Sequence, residues 1–338
     1  MEVPGDKLAL VSTRVAWIGT GHIHMPGFSN EVLKRGVECA GVWDHDANRA
    51  EKNAAKLGGP VKSIAELVGD GSVDGFVVCS ETVYHLDLVK QVVGPGKPIF
   101  IEKPMGFDAE QSIAICKILE GQKIAFQTGY GSRGRAAYRA LRDRVNEGFF
   151  GQITRVRASN CHGGALAGWF DGEWRWMADR SLSGVGAFGD IGTHALDVLL
   201  WIFGDVTAVT GVLSPGTHRY PGCEETGEAL LKFSSGAIGT LTAAWDDVAD
   251  PVKLQVSGTK GHATLGADLL LAGPDGRLEK AELGEDVPAG FGGFLDHLAG
   301  KSVELVSPRE AANRDIVMDA IYRGAESESW INVQMLDT

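Results

Sequence analysis

Two α/β domains are predicted: a doubly wound parallel sheet over residues 1–132, and over 133–338 a second α/β domain with a mostly antiparallel sheet. Three observations carry this. The chain has 338 residues, and at roughly 150 residues per domain that means about two domains. Strand-like and helix-like patterns alternate up to about residue 130. From residue 153 onward, β-branched runs follow one another with only turn signals between them.

The first strand is Arg14–Ile18, an apolar run ending at Gly19. Pro26 opens a helix that continues to Arg35, since proline is tolerated in a first turn. Residues 37–43 form the next strand and 47–57 the next helix. Ser63 and Glu66 have capping-box spacing before a short helix. Residues 75–79 read as a buried strand, 83–93 as a helix and 98–101 as a strand. Asp108 and Gln111 start a helix reaching residue 120, and 124–128 is the last strand of the series. The glycine-rich TGYGSRGR at 128–135 marks the boundary. Beyond it, strands are expected at 153–159, 206–213, 228–233, 237–245 and 252–257, with one prominent helix over 190–203. Residues 1–13 are expected to be a poorly ordered lead.

Composition narrows the function classes. Hydrophobic residues make up 44% and charged residues 22%, an ordinary globular balance. The net charge of −12 disfavours nucleic acid and anionic membranes as partners. No apolar run approaches the roughly 20 residues of a membrane helix. The leading MEVPGDKLALVST carries Glu2 and Asp6, which is no signal-peptide pattern. Five scattered cysteines without CxxC spacing predict neither a disulfide framework nor structural zinc and suit a reducing cytoplasm. The nine histidines show no HExxH-type spacing, so no metal site is expected.

Three motifs carry chemistry. Gly19-Thr20-Gly21-His22-Ile23-His24 lies between a strand and a helix, where glycines let the backbone meet a pyrophosphate at a helix N-terminus. His24 stands where the dinucleotide fingerprint has its third glycine. Asp44 ends the second strand, about 20 residues on, where a carboxylate accepts hydrogen bonds from an adenosine ribose. It would repel a 2′-phosphate, so NAD is expected over NADP, with Arg49 nearby as the opposing group. The second motif, Glu102-Lys103-Pro104, follows the strand at 98–101, which places a lysine at the carboxyl edge of the sheet. Alone it also reads as a surface ion pair before a proline. The third, GVGAFGDIGTHALD at 184–197, sets Asp190, His194 and Asp197 at i, i+4 and i+7 on one helix face. A carboxylate there can orient the histidine and raise its basicity; a capped helix start with a satisfied histidine is the plainer reading.

Together, WIGTGHIH, GKPIFIEKP, GVGAFGDIGTHALD, LKFSSGAIGTL and VSGTKGHATL resemble the glucose–fructose oxidoreductase/inositol dehydrogenase (Gfo/Idh/MocA) family, from about residue 14 to the C-terminus. The resemblance implies an N-terminal Rossmann domain and a C-terminal α/β domain with a large open sheet that commonly supports oligomers, hence a homodimer or homotetramer. It implies that Lys103 polarises the reacting oxygen, that His194 accepts the proton, and that Asp190 assists the histidine and binds substrate. Ser80, His85, Glu102 and Lys103 would join Gly19, Thr20, Gly21, His22, Ile23 and Asp44 on the cofactor. Where the family often has threonine-proline-asparagine, this chain has Ser80-Glu81-Thr82, with His85 kept.

The implied reaction is hydride transfer between a nicotinamide cofactor and a secondary alcohol of a sugar or cyclitol. His162, Trp174 and Arg175 are the expected substrate contacts beside Lys103, Asp190 and His194, because aromatic faces suit sugar C–H faces and arginine suits hydroxyls or anions. Trp174 and Trp176 read equally well as core; Arg133 and Tyr138 are weaker candidates. The same fold also serves NAD-dependent glycosidases and noncatalytic dinucleotide-binding sensors. The glycosidase remains an alternative, whereas an intact Lys103, Asp190 and His194 argue against the sensor.

Overall fold

A computed structural model describes residues 13–338; the expected lead at 1–13 lies almost wholly outside them. The first part runs β1 (Arg14–Ile18), α1 (Met25–Arg35), β2 (Glu38–Trp43), α2 (Ala47–Leu57), α3 (Ile64–Gly69), β3 (Gly75–Val78), α4 (His85–Val92), β4 (Ile99–Ile101), α5 (Ala109–Gly121) and β5 (Phe126–Thr128). All five strands pair in parallel, in the order β2-β1-β3-β4-β5. Buried apolar runs such as Val15–Ile18 and Phe76–Val78 make up the middle of this sheet, as expected when helices cover both faces. The strand order reverses between β1 and β3, and a crevice opens there beyond the carboxyl ends. Local signals hold: Ser63 and Glu66 form the capping box of α3, and the Asp108 side chain caps α5 through the Gln111 N–H.

The second part comprises α6 (Ala136–Asn146), β6 (Ile153–Cys161), α7 (Arg180–Ser183), α8 (Ala187–Phe203), β7 (Val206–Ser214), β8 (Thr226–Phe233), β9 (Ile238–Ala244), β10 (Leu254–Gly258), β11 (His262–Leu265), β12 (Leu269–Ala272), β13 (Leu278–Lys280), α9 (Gly290–Leu298), α10 (Pro308–Ser327) and β14 (Ile331–Asn332). Its nine-stranded sheet has the order β13-β12-β11-β10-β6-β9-β8-β7-β14. It is antiparallel except for β6 and β9, which pair in parallel. Helix α8 packs on the inner face, and Phe188, Leu196 and Leu199 join Val156, Leu231 and Leu241 in the core. The stretch 180–203 is long and apolar enough to cross a membrane by length and composition, contrary to the sequence expectation. Yet 83% of its most apolar window is buried inside the protein, so its apolar residues serve this core. All five cysteines are buried free thiols.

The strands of the two sheets lie on either side of residue 132, but the hydrophobic cores cross it. Phe291, Phe294 and Leu295 of α9 pack with Trp17 and Phe100, and Val306, Ala311 and Ala312 join Ile115 and Leu119. The chain therefore returns to complete the first domain. The short, glycine-rich pattern of α9 gave no sign of this.

Candidate active site

The glycine loop sits at the switch point. Gly19 has φ +79°, and a Cβ there would lie 2.4 Å from that of Ser80, so only glycine fits. Its N–H donates to the Trp43 carbonyl at 2.7 Å, and the His22 N–H donates to that of Cys79 at 3.1 Å. His24 stands at the N-cap of α1 with φ −76° and without a side-chain cap, a backbone conformation that does not demand glycine. The Thr20 N–H and hydroxyl both donate to Asp44 Oδ2, at 2.7 and 2.8 Å.

Asp44 is placed as expected, at the end of β2, but the structure adds a partner. Arg49 grips both its oxygens, Nε at 2.9 Å and Nη2 at 2.7 Å, and also reaches Glu81 at 2.9 Å. Burial alone would raise the Asp44 carboxyl; the Arg49, Asp46 and Thr20 hydrogen bonds outweigh it and hold the group below the ordinary range. The Arg49 guanidinium lies over Gly21, 2.9 Å from where a Cβ would stand.

Beyond β4, Glu102 and Lys103 are buried at 0% and 2% exposure. Glu102 Oε1 lies 3.1 Å from His24 Nδ1, while its Oε2 has no hydrogen-bond partner among the described residues. A buried carboxylate oxygen without a donor is uncommon and marks a place where a further donor would be stabilising. His22, His24 and Glu102 also bring ligand atoms within 4.8 Å of one another, a metal-compatible grouping that sequence spacing could not reveal. His85 is buried, with Nδ1 3.2 Å from the Met105 carbonyl and Nε2 3.3 Å from that of Ser80. It ties two loops together from beneath and offers no free nitrogen to the crevice.

Lys103 Nζ donates to Asp190 Oδ1 at 2.7 Å and to the Asp190 carbonyl at 3.0 Å. This buried pair corrects the expectation that Asp190 orients His194: the carboxylate turns to the ammonium of the other domain. Burial, then Lys103 and His24, push His194 well below the ordinary histidine value. Its ring faces those of Tyr130 and His24, with centroids 6.2 and 6.3 Å away. His194 is thus a neutral imidazole at pH 7 and can accept a proton. The rising limb of the oxidation-rate profile, where the histidine loses its proton, is expected well below pH 6.5; a limb centred above that value in a kcat/KM titration would contradict this assignment.

Asp197 lies on the same face of α8 but about 10 Å farther along the axis than Asp190. It binds Arg133 at 2.6 Å and Arg314 at 2.8 Å in a buried cluster, and Arg133 also pairs with Glu310 at 2.7 Å. Arg133 is accordingly committed to structure. The N-terminus of α8 is fixed by Glu224 and Tyr322, which accept from the Gly186 N–H at 2.8 and 3.2 Å. Neither residue had a local sequence signal.

The segment after β6 folds over the glycine loop. Trp176 Nε1 donates to the Gly21 carbonyl at 2.9 Å, and Ile23 packs against the second-domain core. Trp174 packs on that core too. Arg175 is held by the Ala178 carbonyl at 2.8 Å and lies over the Tyr220 ring, so the tryptophan two residues from Trp174 is the one that meets the loop. His162 stacks on Trp169, 4.8 Å between centroids. It is held below its ordinary value first by burial, with Asp190 opposing and Lys103 and Lys253 reinforcing the shift.

Residues 13–130 match the family model described as an oxidoreductase family with an NAD-binding Rossmann fold, and residues 138–264 match that of the GFO/IDH/MocA C-terminal domain. The chain belongs to the Gfo/Idh/MocA family. It is similar to a 1,5-anhydro-D-fructose reductase of Ensifer adhaerens, 26% identical over 77% of each chain. It is also similar to an inositol 2-dehydrogenase of Rhizobium meliloti, 25% identical over 74% of each. In fold it resembles levoglucosan dehydrogenase in complex with NADH, with TM-score 0.80 and 19% identity over 96% of this chain and 100% of that one. As a Gfo/Idh/MocA oxidoreductase, the protein has residues that fit the family's dinucleotide. The strand-turn-helix at Gly19–Gly21 sits at the carboxyl ends of the parallel strands, where that fold takes a dinucleotide, and the unpartnered Glu102 Oε2 is a further polar group beside it.

Proposed function

We propose that the protein oxidises, or in reverse forms, a secondary alcohol on a sugar or cyclitol with NAD as cofactor. The observation that carries this is Lys103 and Asp190, paired from opposite domains beside a neutral His194. When bound, the nicotinamide supplies the acceptor for the hydride leaving the carbinol carbon. His194 takes the hydroxyl proton, and the Lys103 ammonium stabilises negative charge on the oxygen as the carbonyl forms. Asp190 aims Lys103 through the 2.7 Å pair and presents a carboxylate oxygen to a neighbouring hydroxyl. Glu102 would hold a cofactor hydroxyl, and Trp176 steadies the glycine loop. A screen of sugars and cyclitols read by NADH absorbance tests this. Cleavage of glycosides with no net NADH would leave the site standing and replace the reaction.

NAD is favoured over NADP because Arg49, the cation nearest the loop, is engaged by Asp44 and Glu81. Titration should show tighter NADH than NADPH binding, and Asp44→Ala should narrow or invert that ratio by loosening Arg49. A wild-type preference for NADPH would refute it. Val212, Leu230 and Ile238 are exposed on one face of the open sheet, with Leu230 flanked by Thr210 and Thr240. These residues support a homodimer or homotetramer, to be checked by light scattering at micromolar concentration. Free cysteines support a reducing, cytoplasmic setting.

A further inference from the structure

A cavity of about 360 Å³ opens beside His194, lined by Ser132, Arg135, Tyr138, Asn160 and Lys253 among others. It adjoins the proposed reacting groups, because His194 itself is part of its lining. The charges around it can be accounted for pair by pair. Lys103 is matched by Asp190 at 2.7 Å, and Lys253 by Asp250 at 2.7 Å. Arg135 has no ion pair and no side-chain hydrogen bond among the described residues. Asp286 accepts from the N–H of the adjacent Ala136 at 2.8 Å. Arg135, itself exposed, is thus the unmatched charge in a cavity that His194 also lines, in a protein whose net charge is −12. The neighbouring groups suit a polyol. Asn160 spends its amide N–H on the Ile191 carbonyl, which leaves its oxygen as an acceptor, and burial keeps the Tyr138 phenol protonated.

We infer that the substrate is an acidic polyol, a sugar or cyclitol bearing a carboxylate, with that carboxylate on Arg135 and the reacting hydroxyl at His194. The inference rests on the oxidoreductase reading above and names its substrate class. A planar guanidinium binds a carboxylate through two parallel hydrogen bonds, and a charge-assisted pair of this kind is stronger than hydrogen bonds to neutral hydroxyls. Arg135 lies at the start of α6, on the His194 side of the site, whereas Arg49 is the cation over the glycine loop.

The test compares matched acids and neutral parents, D-glucuronate with D-glucose and D-galacturonate with D-galactose, adding glucose 6-phosphate to separate carboxylate from phosphate. The wild type should favour the acid in kcat/KM, and Arg135→Gln should lower the acid-to-neutral ratio at least tenfold, mainly through KM. Arg135→Lys should restore part of it, and the Kd for NADH should move less than twofold. Preference for the neutral parents, or a ratio unmoved by Arg135→Gln, overturns the inference while leaving the oxidoreductase reading intact. A large loss of NADH affinity in Arg135→Gln overturns it too, by assigning the arginine to the cofactor. Preference for the phosphate over both acids replaces the carboxylate. If no polyol is oxidised, the function reading fails; calorimetric binding of glucuronate to the NADH complex, lost in Arg135→Gln, would still support the anion site, and its absence in the wild type would overturn it.

Discussion

Lys103→Ala lowers kcat by about 10² or more on the best polyol substrate, with NADH affinity kept. The size follows if the buried Lys103 side chain faces the reacting oxygen as proposed, since its removal is then comparable to losing an oxyanion-stabilising donor. The variant also strands Asp190, whose carboxylate has Lys103 as its ion-pair partner. Part of the loss is therefore positional, and Lys103→Arg, which restores charge with different reach, should recover little. His194→Ala should fall by a similar factor, because the proton then has no acceptor. Asp190→Asn separates the roles: a fall in kcat larger than the rise in KM shows that the carboxylate acts through Lys103, and the reverse shows that it holds a hydroxyl. Turnover unchanged in both Lys103→Ala and His194→Ala would place the active site elsewhere. Stopped-flow binding of NADH, measured alongside, keeps misfolding from passing as catalysis.

The second large effect concerns stability. Asp197→Ala should destabilise the protein by about 3–5 kcal/mol, because two buried guanidiniums lose their shared carboxylate. Arg133 and Arg314 come from the interdomain link and α10, and Asp197 from α8, so the loss unfastens three segments at once. Urea midpoints measure it, and Asp197→Asn should fall between the alanine variant and the wild type. An unchanged midpoint would show that Glu310, which already contacts Arg133 at 2.7 Å, neutralises the cluster alone.

Much of this was legible in the chain because the signals were local. Short apolar runs bounded by turn and cap signals placed β1 through β5, a helical stretch placed α8, and the glycine loop, Glu102-Lys103 and the 190/194 spacing each span a few residues. Pairings across the fold were not legible. Helical spacing grouped Asp197 with Asp190 and His194, but it reports a face and not the distance along the axis. Trp174 and Trp176 had equal claims until the fold set one of them against Gly21. Asp44 was read correctly for position, yet its partner Arg49 was read as a rival for phosphate and turned out to be a clamp on the same carboxylate. The strands β11 to β14 and the helix α10 drew no expectation, the strands being short and partly exposed.

The return of α9 to the first domain has a consequence for synthesis. Phe291 stacks on Phe28, 4.2 Å between centroids, and meets Phe100 edge-on at 5.2 Å. A nascent chain that has just cleared residue 132 therefore carries this aromatic surface uncovered. At 5–20 residues per second, a ribosome needs on the order of ten to thirty seconds to reach residue 290. During that interval the dinucleotide half is a sticky, unfinished body, the kind of species that holding chaperones engage. The stretch from residue 290 onward, about a seventh of the 338 residues, is what closes that half.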